Sequence, residues 1–268
     1  MYGGGEEKVI FKFDENWNLQ PLKGDTGKAY KGVKDQEEVF LKRNSTPFLA
    51  ALSREGLTPK LLWTRRTGNG DIVTAQEWFD GRQLTKEEMA SNLEVIRILT
   101  HLHHSKSLKS MLKRMEGSEK SAFDFLSEYV TNLPRPLKEN KLLMKVFKYL
   151  EDHLPYYQPS HYVACHGDAI RQNWLISSDD NLYLVDWDYS VLCDPALDLG
   201  TILGQYVAKE DWSDWLSLYQ TDRVDYLYER VYWYAGMSLL MQTKRSFLNE
   251  EHDELNRCLL RLEEIFSA

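Results

Sequence analysis

The sequence lacks both of the familiar glycine-rich phosphate cradles: it contains no Gly-x-Gly-x-x-Gly stretch and no Walker motif. Cysteine is scarce. Cys165, Cys193 and Cys258 are odd in number, share no C-x-x-C pair and show no metal-ligand spacing, so neither a disulfide framework nor a zinc site is indicated, and a reducing cytoplasm is expected. No apolar run approaches the roughly 18 residues of a spanning helix, and Met1 to Glu7 offers no charged segment followed by an apolar one. Neither export nor membrane insertion is expected. Basic residues are outnumbered, with a formal net charge of −8 and a pI near 5.5, which argues against a general nucleic-acid or anionic-membrane surface but leaves room for a local basic pocket. Internal repeats and low-complexity linkers are also missing. What is present is core material. With 268 residues, 43% of them apolar, the chain can bury a large core as one domain or as two lobes sharing a cleft.

The periodicity changes once. From Lys8 to Trp78, short apolar runs such as Val9-Ile10-Phe11, Val39-Phe40-Leu41 and Ile72-Val73 alternate with Gly, Asp and Asn, which predicts strands. One helix interrupts them, starting near Ser45-Thr46-Pro47 and ending at Gly56. Beyond Gly81 the spacing is helical, as in Leu93, Ile96, Leu99 and Leu102, and again in Leu142, Val146, Tyr149 and Leu150. A short β-rich stretch lies inside this half, at Tyr162-Val163-Ala164, Trp174-Leu175-Ile176 and Tyr183-Leu184-Val185. The division is therefore drawn between residues 1–80 and residues 81–268. An α+β fold is expected.

Chemistry concentrates in His166-Gly167-Asp168-Ala169-Ile170-Arg171-Gln172-Asn173, followed by a hairpin and Leu184-Val185-Asp186-Trp187-Asp188. Phosphoryl transfer to an alcohol needs a carboxylate to orient the hydroxyl and accept its proton, and oxygen ligands that hold magnesium against the nucleotide phosphates. Asp168, Asn173 and Asp186 supply these types in a sensible order. Turn formation is the ordinary use of such residues, but several matches coincide here. Upstream, the segment from Gly24 to Gly27 joins two expected strands and offers backbone N–H groups to phosphates. Lys42 ends a strand and Glu55 ends the following helix, so the two could pair and place the ammonium on the α and β phosphates, or both could be solvated surface charges. The run Val73 to Gly81, with Gln76 and Trp78, resembles a hinge whose backbone could pair with an adenine edge. Arg171 and Asp188 are candidates for acceptor binding.

Other residues are read as structural. His101, His103 and His104 share one helix end and point to packing or charge compensation, not metal binding. His166 is expected to brace its loop. The aromatics from Tyr206 to Tyr234 recur at helical spacing and should be mostly core, with one or two lining an acceptor pocket.

Taken together, His166-Gly167-Asp168 with Asn173, Asp186-Trp187-Asp188 and the segment Asp194-Pro195-Ala196-Leu197-Asp198-Leu199 resemble the aminoglycoside phosphotransferase and choline kinase family. More narrowly, Gly27-Lys28-Ala29-Tyr30, Pro59 to Arg66, Ala75-Gln76-Glu77-Trp78 and Leu184 to Asp188 are similar to its YtmP and CcrZ branch, over nearly the whole chain. The family resemblance implies a protein-kinase-like two-lobed fold, with an antiparallel β-sheet N-lobe carrying one helix and a mainly α-helical C-lobe. It also implies ATP and Mg2+, Asp168 as catalytic base, Asn173 and Asp186 on the metal, and Lys42 at the phosphates. Asp194 and Asp198 would cap and anchor the helix that follows them. The branch implies phosphorylation of ribose or 2-deoxyribose at the 5-hydroxyl, with a part in coordinating replication initiation and cell division. Rival expectations are a choline-, thiamine- or aminoglycoside-type kinase, and a pseudokinase adaptor of the division machinery. The Tyr- and Trp-rich C-terminal helices fit a neutral sugar better than a polycation.

Overall fold

The computed structural model describes residues 17–22, 28–115, 119–221 and 225–267. The strand expected at Val9-Ile10-Phe11 and the phosphate-binding turn expected at Gly24 and Gly27 lie outside these residues. The N-terminal region is a five-stranded antiparallel sheet built from β1 (Asn18–Pro21), β2 (Ala29–Lys34), β3 (Glu37–Arg43), β4 (Leu61–Arg66) and β5 (Ile72–Glu77), in the order β1-β2-β3-β5-β4. Alternation decides which face is buried. Val39 and Leu41 of β3 join Tyr30, Val73 and Ala75 in a small core, while Glu37 and Glu38 stay exposed.

One helix, α1 (Leu49–Arg54), crosses between β3 and β4. It begins later than the Ser45-Thr46-Pro47 signal predicts, after a turn closed by the Leu49 N–H on the Thr46 carbonyl at 3.2 Å. The Ser45 and Thr74 hydroxyls share a 2.7 Å hydrogen bond, and Thr46 Oγ1 accepts from the Phe48 N–H at 3.3 Å. Its end agrees with expectation: Gly56, with φ +73°, follows the C-cap Glu55 and turns the chain.

The rest of the chain is mainly helical. In order it contains β6 (Gly81–Gln83), α2 (Lys86–Ser91), α3 (Leu93–His104), α4 (Lys106–Lys113), α5 (Ala122–Val130), α6 (Arg135–Lys138) and α7 (Lys141–Asp152). Then follow β7 (Val163–Cys165), β8 (Trp174–Ser177), β9 (Leu182–Leu184), β10 (Val191–Cys193), α8 (Ala196–Tyr206), α9 (Trp212–Leu218), α10 (Leu227–Leu248) and α11 (His252–Phe266). The expected β-rich stretch resolves into β6-β8-β9 and the pair β7-β10. Side chains set many helix starts: Thr85 with Glu88 and Ser121 with Asp124 form capping boxes, and Asn92, Ser105 and Asn140 cap α3, α4 and α7. Ile96, Leu99 and Leu102 bury one face of α3, whereas Leu93 in its first turn is exposed.

The second core is continuous from α1 to α11. At its centre α8 lies against α10, an approach that depends on glycine: a Cβ on Gly200 would come within 2.7 Å of the Ala235 backbone nitrogen. All three cysteines are buried and free. Among the described residues, no helix is long and apolar enough to cross a membrane.

Candidate functional site

The loop between β7 and β8 is held from three sides. Its first two residues, His166 and Gly167, donate their backbone N–H groups to the two carboxylate oxygens of Asp198, at 2.8 and 2.9 Å. Asp198 lies in the first turn of α8 and is fully buried. It therefore anchors the loop instead of capping its own helix, as the sequence had implied; Asp194 does the capping, accepting from the Ala196 N–H at 3.0 Å. His103 reaches the same carboxylate, with Nε2 3.1 Å from Asp198 Oδ2 and Nδ1 2.9 Å from the Tyr219 hydroxyl. Burial works to raise the Asp198 carboxyl, and the His103 and Gly167 contacts outweigh it and hold it below the ordinary range.

His166 braces the loop as expected. Its Nδ1 accepts from the Asp168 N–H at 3.2 Å, which leaves Nε2 as the donor to the Val185 carbonyl at 3.0 Å. Gly167 has φ +82°, and this bend aims Asp168 out of the loop. Asn173, in a short 3-10 turn, donates its amide to the Asp168 carbonyl at 2.8 Å and lies 3.4 Å from Asp168 Oδ2. With the nitrogen so used, its amide oxygen is the atom left for a cation. Asp186 follows β9 with φ +62°, a left-handed turn that Asp tolerates, and the Asn173 carbonyl accepts from the adjacent Val185 N–H at 2.9 Å.

Lys42 reaches this loop cluster from β3. Its ammonium stands 2.9 Å from a carboxylate oxygen of Asp186 and 2.9 Å from one of Asp188. Burial disfavours the charge, but the hydrogen bonds to Asp186 and Asp188 prevail and raise the ammonium above its ordinary range. An amide oxygen and carboxylates are hard oxygen donors of the kind magnesium takes, and Asp186 already holds a cation. These residues fit a metal-nucleotide site.

Several expected placements are corrected. Glu55 does not pair with Lys42: at the C-cap of a two-turn helix it faces the α3–α4 junction, where it meets His101 Nε2 at 3.0 Å and accepts from the Ser105 hydroxyl at 2.9 Å. Arg171 does not line the cavity beside Asp168: its guanidinium donates to the Leu84 carbonyl at 3.0 Å and to Gln83 Oε1 at 3.3 Å, tying the loop to β6. Asp188 is committed to Lys42 and does not line the cavity beside Asp168. Gln76 sits in β5 between β3 and β4, and its side-chain amide donates inward to the Pro59 carbonyl at 2.8 Å and the Thr58 hydroxyl at 3.2 Å. Trp78, just past β5, has the Lys31 ammonium 4.5 Å from its ring centre.

A cavity of about 690 Å³ opens beside Gly167 and Asp168, and α8 and α10 supply much of its wall. Thr201, Gln205, Ser238 and Gln242 contribute hydroxyls and amides, and Arg245 reaches from α10 to within 3.2 Å of Asp168 Oδ2. Sequence reasoning missed Arg245 because nothing local marks a basic residue in the body of a long aromatic-rich helix. The C-terminal aromatics do not line this cavity. Trp212, Trp215, Tyr219 and Tyr234 are buried, while Tyr226, Tyr228, Tyr232 and the largely buried Trp233 border a separate cavity of about 960 Å³. The three histidines part company: His101 meets Glu55, His103 meets Asp198, and His104 Nδ1 donates to the Thr100 carbonyl at 2.8 Å.

The same architecture recurs in solved structures. Choline kinase LicA from Streptococcus pneumoniae superposes with a TM-score of 0.66 at 20% identity, covering 94% of each chain. Aminoglycoside phosphotransferase APH(4)-Ia superposes at 0.62 and 13% identity, covering 92% of each. These likenesses show a protein-kinase-like fold. A local sequence match joins the chain to protein LicA of Haemophilus influenzae, 38% identical over 52 residues, so the chain spans only 19% of that curated relative. Residues 31–234, from β2 into α10, match the family described as the phosphotransferase enzyme family, and on that extent the chain belongs to it and is a phosphotransferase.

Proposed function

We propose that this enzyme transfers the γ-phosphate of Mg·ATP to a hydroxyl of a small neutral sugar, with ribose or 2-deoxyribose, at the 5-hydroxyl, as the acceptors to test first. The observation that carries the reading is the meeting of Lys42 from the N-terminal sheet with Asp186, beside Asp168 and Asn173. In this reading residues 1–80 form the nucleotide lobe and residues 81–268 the catalytic and acceptor lobe. Asn173 and Asp186 would hold magnesium, which supplies charge neutralisation at the phosphates. Lys42, which reaches Asp186 from β3, would contact the phosphate oxygens. Asp168 orients the acceptor hydroxyl and takes its proton, and Asn173 keeps that carboxylate in place. Positioning and electrostatics then lower the barrier, with no covalent intermediate on the protein.

The cavity beside Asp168 supports a neutral acceptor. Its wall is polar but without a net charge: Gln205 bonds to Ser238 and Gln242 to Ser246, and the acidic groups Glu128, Asp168 and Glu251 are balanced by Lys120, Lys244 and Arg245. Two aromatic rings line it, Phe125 with the Lys120 ammonium 5.3 Å from its centre and the exposed Tyr189, so a quaternary ammonium is the second acceptor class to test. A part in coordinating replication initiation with cell division rests on the resemblance to the YtmP and CcrZ branch. Growth and division of cells carrying only an Asp168→Asn chain would separate that role from catalysis.

The test is acceptor-dependent nucleotide consumption across ribose, 2-deoxyribose, choline, thiamine and an aminoglycoside. Turnover with a pentose is expected, falling by about 10³-fold or more in Asp168→Ala with the fold intact. Turnover with choline or an aminoglycoside alone would replace the acceptor. Turnover with none would favour an adaptor that has lost phosphotransfer.

A further inference from the structure

We infer that Tyr206 is a positioning residue for phosphoryl transfer: its hydroxyl fixes the far half of the loop that carries Asp168 and Asn173, and so sets where the Asn173 amide oxygen stands. The inference rests on the reading of Asn173 as a magnesium ligand and of Asp168 as the base. Asn173 lies in the 3-10 turn Arg171–Asn173, which its own N–H closes on the Ile170 carbonyl at 3.0 Å. The first N–H of such a turn has no carbonyl within the turn to bond. Here that donor is Arg171, and it gives its N–H to the Tyr206 hydroxyl oxygen at 2.8 Å. The Asn173 amide in turn reaches back to the Asp168 carbonyl, so a shift at Arg171 is passed to both functional side chains.

Tyr206 is the last residue of α8, and Asp198 sits in the first turn of the same helix. Eight positions apart, they are separated by about two turns and about 12 Å along the axis, so both side chains leave the same half of the helix surface. Asp198 holds the loop entry at His166 and Gly167, and Tyr206 holds the loop at Arg171. The carboxyl end of α8 is itself pinned by α11. Arg257 donates to the Gln205 carbonyl at 3.3 Å, and Arg261 donates to the Gly204 and Val207 carbonyls at 3.1 and 2.7 Å. The Arg257 guanidinium also stands 6.0 Å from the centre of the Tyr206 ring. Burial pushes the phenol up to about 12 against the pull of the Arg171 N–H and of Arg257, so the hydroxyl is neutral at working pH.

The experiment compares the wild type with Tyr206→Phe, which removes one oxygen and keeps the ring, and with Tyr232→Phe, which removes the hydroxyl that donates to the Ile265 carbonyl at 3.0 Å. Three quantities are read well below the melting temperatures: the Mg2+ concentration that half-saturates binding of fluorescent mant-ADP, kcat and KM for ATP with the best acceptor, and hydrogen exchange of the loop peptide. In Tyr206→Phe the half-saturating Mg2+ should rise about tenfold and kcat should fall about tenfold or more, with faster exchange in the loop. Tyr232→Phe should leave all three near wild type, even where its melting temperature falls. Should Tyr206→Phe not fold, Arg171→Pro deletes the N–H from the other side, and Ile170 at φ −74° and ψ 158° accepts a following proline. Its rise in half-saturating Mg2+ should exceed that of Arg171→Ala. A folded Tyr206→Phe with wild-type Mg2+ requirement and kcat overturns the inference, as does a Tyr232→Phe that shifts them equally. Either result leaves the kinase reading standing. A wild type that binds no magnesium nucleotide removes that reading first, and the inference with it.

Discussion

Gly167 and Asp186, which turn the chain beside Asp168 and Lys42, both adopt left-handed backbone, with φ +82° and +62°. Only one of them tolerates a methyl group. A Cβ on Gly167 would fall 2.2 Å from the Tyr189 carbonyl oxygen, which is backbone and cannot swing away. Gly167→Ala should therefore cost about 1–3 kcal/mol and displace Asp168, seen as a lower melting temperature together with a loss of kcat. That Asp168, Asn173 and Asp186 come together was legible in the sequence because they lie close along one short segment. The partners of Glu55 and Arg171 were not, because a charged side chain chooses its partner from whatever the fold brings near. His101 lies 46 positions from Glu55, and Leu84 lies 87 from Arg171.

At the level of elements, α8 acts as a clamp. Its first turn carries Asp198, whose two oxygens hold both backbone donors of the loop entry, with His103 behind them. Asp198→Asn would turn an amide N–H against those donors in a fully buried site and should cost about 3–5 kcal/mol, measured by denaturant unfolding. The ion carries a pH signature. Because the folded carboxyl titrates below its ordinary 3.8, the unfolded chain binds more protons near that pH, so the contribution is whole above about pH 4 and fades as pH falls through the folded value. Acid melts of the wild type should show that loss, and those of Asp198→Asn should show less of it. Strand and helix types were readable from period, and capping residues such as Thr85, Asn92 and Asn140 were readable in principle. What helical spacing concealed was direction: it said that the C-terminal aromatics pack, but not that they pack away from the Asp168 cavity.

Across the whole molecule, the N-terminal sheet and the helical region meet through Lys42 on Asp186 and Asp188, the Leu184 N–H donating to the Leu57 carbonyl at 3.1 Å, and the edge of Phe48 against Trp187. A nucleotide bound at this junction should stabilise the native state. At a hundredfold excess over Kd, Mg·ATP should add about 2.7 kcal/mol, a rise in Tm of about 5–10 °C by differential scanning fluorimetry, and Lys42→Met should shrink it. The buried thiols offer a means to watch that junction. Burial holds Cys193 and Cys258 up at about 12 and pushes Cys165 well above the ordinary thiol range, so at neutral pH none is a nucleophile. Native protein should accordingly resist maleimide while the denatured chain takes up three equivalents. A pair of cysteines introduced on opposite sides of the cleft could then carry fluorescent dyes without stripping the natural ones, and energy transfer between them would report opening and closing in real time.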